Sequence, residues 1–349
     1  MGPTSTGTGT APRGGELLDA ARDGDEHDFR RLLDEHHSEL HAHCYRMLGS
    51  VHDAEDALQD ALLRAWRGLP RLEDRRSLRP WLYRIATNTC LDVIAKRPKR
   101  VLPIDYGPPA EPGDPAAGPL PESTWVEPYP DERVGVEDGY AAPEARYERR
   151  EAIELAFIVA VQHLPARQRA VLVLREVLGF SAREVAGALD TTVASVNSAL
   201  QRARRTVEER LPERSQQATL RALGDERVTA IVERFMDAFE GGDVDAILAM
   251  LAEDATFAMP PYPDWYRGRA AIGDSWLMPE GPAPRLRYVP TRANGQIALG
   301  TYSIDRDART YLPVALDVLT LRHDRLAEVL AFRDTDTFRR FGLPDSLSR

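Results

Sequence analysis

Cysteine is scarce in this chain of 349 residues: Cys44 and Cys90 are its whole complement. Neither stands in a metal-ligand or disulfide-framework spacing. A reduced, cytoplasmic setting and two small buried side chains are therefore expected. No apolar run approaches the length of a bilayer-spanning helix, so no membrane span is expected. The first 15 residues are rich in Gly, Thr and Pro. They lack the basic and apolar regions of a signal peptide and read as a disordered tail. Metal-ligand clusters, nucleophile elbows and Gly-rich phosphate loops are also missing. The expectation is therefore no metal, no cofactor and no catalytic residue.

Positive charge is in short supply as well, with 45 Lys and Arg against 55 Asp and Glu, a net charge of -10. That balance argues against a nucleic-acid partner until its distribution is considered. Residues 71–100 hold nine basic side chains and three acidic ones, whereas residues 101–147 hold ten acidic and two basic. The basic charge forms one block, and its neighbour masks it in the sum.

The hydrophobic period divides the chain. Residues 16–100 read as helices, with a break at Gly49-Ser50 and Ser77 placed to cap a helix that tolerates Pro80 in its first turn. Residues 101–147 read as a Pro-rich acidic linker, extended or disordered in isolation. One aromatic island, Trp125-Val-Glu-Pro-Tyr-Pro130, is expected to dock. Helices return over 148–211, and 212–224 read as a second, short linker. From 225 to 349, two helices precede alternating strand-like runs, with His323-Asp324 as a hairpin turn. Helices followed by an antiparallel sheet imply a separate α+β domain, so the whole is multidomain.

Three constellations carry chemistry. On the helix over residues 51–67, Asp53, Asp56 and Asp60 share one face, with Gln59 at its edge, while Ala54, Leu58, Ala61 and Leu62 share the other. The acidic face is either ordinary solvated surface or a seat for a basic partner. In the second constellation Arg75, Arg76, Arg79 and Arg84 are interleaved with Trp66, Trp81 and Tyr83, and Asn88 lies one turn beyond Arg84. Cations neutralise phosphates, aromatic faces stack on unpaired bases and an amide reads a base edge, so this stretch suits single-stranded DNA. Trp81 is read as part core, part platform. The third is a helix-turn-helix. Val185, Ala186, Leu189, Val196 and Leu200 face inward. Ser195, Asn197, Ser198, Gln201 and Arg202 are left for a DNA groove, with Arg204 and Arg205 for phosphates.

Taken together, these residues resemble a known family. Residues 26–96 are similar to region 2 of the bacterial extracytoplasmic-function (ECF) sigma factors of the sigma-70 family, and residues 164–209 to their region 4. The run from His41 to Asp60 (HAHCYRMLGSVHDAEDALQD), the island at 125–130 and the phrase at 260–269 (PPYPDWYRGR) resemble the subgroup with a C-terminal SnoaL-like extension. The resemblance implies that Asp53, Glu55, Asp56, Gln59 and Asp60 bind the β′ coiled coil of core RNA polymerase, and that region 4 meets the β flap. It implies that Arg75, Arg76, Ser77, Arg79, Trp81, Arg84 and Asn88 melt and capture the minus-ten element. Ser195, Asn197, Ser198, Gln201, Arg202, Arg204 and Arg205 would read the minus-thirty-five element. Many members carry Lys and Arg where this helix has Asn197 and Ala199.

The resemblance also implies that residues 225–349 form an NTF2-like cone. Phe257, Met259, Trp265, Tyr266 and Trp276 are candidates to line a ligand pocket, with Asp254, Asp264 and Asp317 as possible acids. The expected function is a sigma factor acting with core polymerase and promoter DNA. Its last domain, no enzyme itself, is expected to contact the sigma regions and regulate them. A separate anti-sigma partner is left open. The alternatives are a helix-turn-helix regulator with a ligand-sensing domain and a DNA-tethered SnoaL-like enzyme.

Overall fold

The computed structural model describes residues 21–22, 25–72, 77–114, 117–134, 151–274, 285–305 and 310–348. Three long helices come first: α1 (Glu26–Leu48), α2 (Val51–Gly68) and α3 (Leu78–Ile94). Asp25 caps α1, accepting from the amides of His27 and Asp28. Ser50 caps α2 by accepting from Asp53 N at 3.0 Å. Ser77 sits at the N-cap of α3 but its side chain makes no capping bond there. Between α1 and α2 the chain turns at Gly49, whose φ of 70° only glycine adopts cheaply. A Cβ there would also meet Gln162 at 3.1 Å, so the turn is packed as well as bent. Leu40, Cys44, Tyr45, Leu58, Leu82, Tyr83 and Cys90 close the three-helix core.

The acidic linker does not stand apart. Its described residues form a short helix, α4 (Pro103–Tyr106), and 3-10 turns at Glu122–Thr124 and Asp131–Val134. Trp125, Val126 and Tyr129 are buried, and Trp125 Nε1 donates to Pro261 O at 3.1 Å. Burying a Trp side chain is worth about 3 kcal/mol or more, which explains why a Pro-rich strand settles on the fold.

The second helical unit holds α5 (Leu155–Gln162), α6 (Ala166–Leu172) running into a π-helical turn at Val173–Val177, α7 (Ala182–Ala188) and α8 (Val193–Glu208). Ser181 and Glu184 form a capping box on α7. Thr192 caps α8, so that helix begins two residues before Ser195, the start expected from sequence. A second correction concerns residues 212–224. In place of a short linker the chain forms α9 (Gln216–Leu223), started by Ser215, with Leu220 fully buried. The buried carboxylate of Glu154 accepts from Gln216 N at 3.1 Å and Gln217 N at 2.7 Å, satisfying amides that a helix start leaves unpaired.

The last unit begins with α10 (Asp225–Gly241) and α11 (Val244–Met250). β1 (Leu251–Ala258), β2 (Trp265–Arg267), α12 (Arg269–Ile272), β3 (Leu286–Ala293), β4 (Gln296–Asp305), β5 (Thr310–Arg322), β6 (Arg325–Phe332) and α13 (Asp336–Arg340) follow. The six strands make one sheet in the order β2-β1-β6-β5-β4-β3. Only β1 and β6 run parallel among the pairs of this sheet. Alternation sends side chains to two faces. Phe257, Tyr288, Leu299, Leu319 and Val329 pack with Phe235 and Phe239 of α10 in one core. Ala258, Trp265, Tyr302, Leu316, Val318, Leu330 and Phe332 belong to the core shared with the sigma-like helices and the linker. The sheet is thus buried on both faces. No described helix is long and apolar enough to cross a membrane.

Candidate functional site

The acidic face of α2 splits. Asp56, Gln59 and Asp60 are exposed, as a partner surface requires. Asp53 is not: only 4% of it is exposed, and it forms ion pairs with Arg97 and Arg100, the latter at 2.7 Å. The expectation that Asp53 faces a partner is corrected for this conformation. Helical spacing places it beside Asp56 and Asp60, but the basic end of α3 folds over it. Glu55 is half-buried and pairs with Arg133 of the linker at 2.5 Å. Partial burial would raise the Glu55 carboxyl, but the hydrogen bond and charge of Arg133 outweigh it and hold the group below its usual range.

The linker grips this helix at its N-terminus too. The Glu127 carboxylate accepts from Ser50 Oγ at 2.7 Å, Val51 N at 2.9 Å and His52 N at 3.3 Å. A carboxylate there satisfies unpaired amides and meets the positive end of the helix dipole. Nearby, the Tyr129 hydroxyl and His41 Nδ1 are 2.6 Å apart. Burial, aided by the Arg133 charge, lowers His41 to about 4, so its ring is neutral at pH 7.

The basic, aromatic segment of α3 lies against the helix-turn-helix. The Arg79 guanidinium stands over the rings of Phe180, 4.6 Å from its centroid, and Tyr83, at 5.1 Å. Arg84 pairs with Asp190 at 3.4 Å, and Asn88 Nδ2 donates to Ala188 O at 3.5 Å. Trp81 is half-buried against Gly68. Tyr83, read as an interleaved aromatic, is 1% exposed and belongs to the core. Ser77 is exposed, whereas Arg75 and Arg76 lie outside the described residues. On α8, Val196 and Leu200 face inward, and Ser195, Asn197, Ser198, Gln201 and Arg202 are exposed on one side. Arg204 pairs with Glu176 at 2.7 Å and Arg205 with Glu209 at 3.4 Å, both at the surface, where such pairs break readily for phosphates.

The expected cone lining is divided by strand register. Phe257 pairs with Tyr266, and the two pack with the α10 core alongside half-buried Met259. Trp265 pairs with Ala258 and points to the opposite face. Its Nε1 donates to Gly107 O at 2.8 Å, so it serves the linker rather than a pocket. Trp276 lies outside the described residues. Asp254 is exposed in an ion pair with Arg322, and Asp264 accepts from Ala117 N at 2.7 Å. Of the three acids expected from sequence, Asp317 is the one buried inside the cone. Thr301 Oγ1 donates to Asp317 Oδ2 at 2.8 Å. Burial lifts Asp317 to about 7.

Sequence reasoning missed the joint between the units. Asn294-Gly295 forms the β3–β4 turn, with φ of 56° and 70°. Asn-Gly between strands is a hairpin signal legible in sequence, but its neighbours are not. Asn294 bonds Tyr129, Tyr45 and the carbonyl of Ile153. Gly295 N donates to Asp131 Oδ1 at 2.6 Å, and Gln217 donates to Gly295 O.

Family models match three stretches: Sigma-70 region 2 over residues 32–100, Sigma-70 region 4 over 150–207 and a SnoaL-like domain over 232–329. ECF RNA polymerase sigma factor SigG of Mycobacterium tuberculosis is 42% identical over 334 residues, covering 92% of this chain and 85% of its own. SigM of the same species is 32% identical over 191 residues, covering 54% and 80%. The crystal structure of the M. tuberculosis ECF sigma factor SigJ superposes with a TM-score of 0.52 over 88% of this chain and 97% of that one, at 21% identity, which bears on the fold alone. The chain therefore belongs to the ECF RNA polymerase sigma factors of the sigma-70 family, with a SnoaL-like domain following region 4.

Proposed function

We propose that this sigma factor binds core polymerase through the exposed acids of α2 and promoter DNA through α3 and α8, and that its linker and SnoaL-like domain hold it closed beforehand. One observation carries the reading: Arg133 of the linker sits on Glu55, within the acidic surface assigned to the polymerase. A basic polymerase helix and Arg133 would compete for the same carboxylate. The packing of Arg79, Arg84 and Asn88 against the helix-turn-helix supports the same view, because single-stranded DNA needs those side chains free. Closure then delays DNA capture until polymerase draws the two sigma regions apart. The SnoaL-like domain acts here by contact rather than turnover.

The test is Arg133→Ala, a change at a partly exposed side chain. Affinity for core polymerase should rise several-fold, and promoter opening at limiting sigma should rise with it. Unchanged or weaker binding would sink the inhibitory role of the linker.

A further inference from the structure

A pocket of about 360 Å³ lies where the end of α3, the start of the linker and the α5–α6 corner meet. Four cationic side chains line it, Arg97, Lys99, Arg100 and Arg169, together with His163 and a single carboxylate, Asp53. Asp53 is already shared by Arg97 and Arg100. Glu127 lies 3.4 Å from Arg100 on its other side. The remaining two cations are differently placed.

Arg169 is 4% exposed, and its hydrogen bonds go to Met47 O, Gln162 Oε1, Gln162 O and Leu164 O. All of these acceptors are uncharged. Its Nε has no hydrogen-bond partner among the described residues. Carbonyl dipoles solvate a guanidinium but leave its charge uncompensated, a costly state in a protein interior. Lys99 Nζ is 2.6 Å from His163 Nδ1, a contact that requires the neutral imidazole as acceptor. His163 Nε2 in turn lies 3.2 Å from Asp105. Burial lowers the Lys99 ammonium; Asp105 opposes this, while the charges of Arg210 and Arg169 add to it.

We infer that this pocket binds the phosphate groups of a small phosphorylated molecule of nucleotide size, held between Lys99 and Arg169. Phosphate suits the donors: guanidinium and ammonium groups give charge-assisted bonds to its oxygens, and its charge offsets Arg169. The volume falls in the range of small-molecule sites and exceeds what a bare phosphate fills. Lys99 belongs to the end of region 2 and Arg169 to region 4, so a ligand touching both would tie the two regions together. Both the binding and that consequence rest on the closed state proposed above, since the pocket is formed where the two regions meet.

The test is equilibrium titration of the full chain with ATP, with tripolyphosphate and with a promoter-free DNA duplex, followed by calorimetry and thermal unfolding. ATP and tripolyphosphate should saturate one site and raise the melting temperature. Lys99→Gln should weaken both at least about tenfold, and Lys99→Arg should restore them. Arg30→Ala, at an exposed side chain of α1, should leave them unchanged. Arg169→Met should abolish binding; if that buried change unfolds the chain, the Lys99 pair decides the matter. Lack of saturable ATP or tripolyphosphate binding below about 1 mM, or equal binding by Lys99→Gln, would overturn the inference. Binding by duplex DNA alone would overturn it too, since the phosphates would then be those of a promoter. Because none of these readouts involves polymerase, failure of the closed-state reading would not be mistaken for failure of this one.

Discussion

Asn294 and Tyr129 hold each other by two hydrogen bonds: Tyr129 N donates to Asn294 Oδ1 and Asn294 N to Tyr129 O, each at 2.8 Å. Asn294 Nδ2 reaches Ile153 O at 2.7 Å and the Tyr45 hydroxyl oxygen at 2.9 Å. One side chain at a hairpin tip thus joins the SnoaL-like sheet, the linker, region 2 and region 4.

Replacing Asn294 by Ala leaves buried polar groups on three elements without that partner. Thermal or denaturant unfolding should show a loss on the order of 3 kcal/mol. Asn294→Gly should recover about 1 kcal/mol of it, because glycine adopts the φ of 56° without strain. Equal stability of the Ala variant and the wild type would mean that water replaces the amide and that the turn is no keystone.

Asp53 and its neighbours on α2 should separate into structural and surface roles. Asp53→Asn strips Arg100 of its nearest carboxylate. The expected cost is about 3 kcal/mol, the low end for breaking a buried pair, because Glu127 remains 3.4 Å away. Asp56→Arg with Asp60→Arg should change stability by less than about 1 kcal/mol while weakening core-polymerase binding. If the Asp53 variant unfolds like the wild type yet loses polymerase, the buried pair is irrelevant and Asp53 acts at the interface.

Asp317 predicts a pH dependence. Its carboxyl is raised from 3.8 to about 7 by burial, so the folded state prefers the protonated form. Stability from this group is complete below about pH 3.8, the unfolded value. It declines as the pH rises toward 7 and stays at its reduced level above. Asp317→Asn removes the titration. The variant should gain stability over the wild type at pH 8 and match it near pH 4. A constant difference between the two pH values would show that burial of the charge is not what the substitution relieves.

Much of this protein is written in local sequence. Period 3.6 and period 2 mark the helices and strands, and the spacing of Asp53, Asp56 and Asp60 places all three on one side of α2. Ser181 with Glu184 announces α7, and Asn294-Gly295 announces a hairpin. These features need only the residues within a few positions of one another, because capping, turn geometry and amphipathicity are short-range.

Long-range packing sets which of those side chains stay at the surface. Asp53 and Asp56 read alike along a helix, yet the end of α3 buries one and leaves the other in water. Phe257 and Trp265 read alike as cone aromatics, yet register turns them to opposite faces of the sheet. The aromatic island of the linker reads as a docking segment, yet the cleft that takes Trp125 and Tyr129 exists only once helices and sheet meet. Helices and strands follow from local periodicity alone. Their exposure follows from the fold, because burial depends on residues far off in the chain: Arg100 covers Asp53 from 47 positions away, and Asn294 meets Tyr45 across 249.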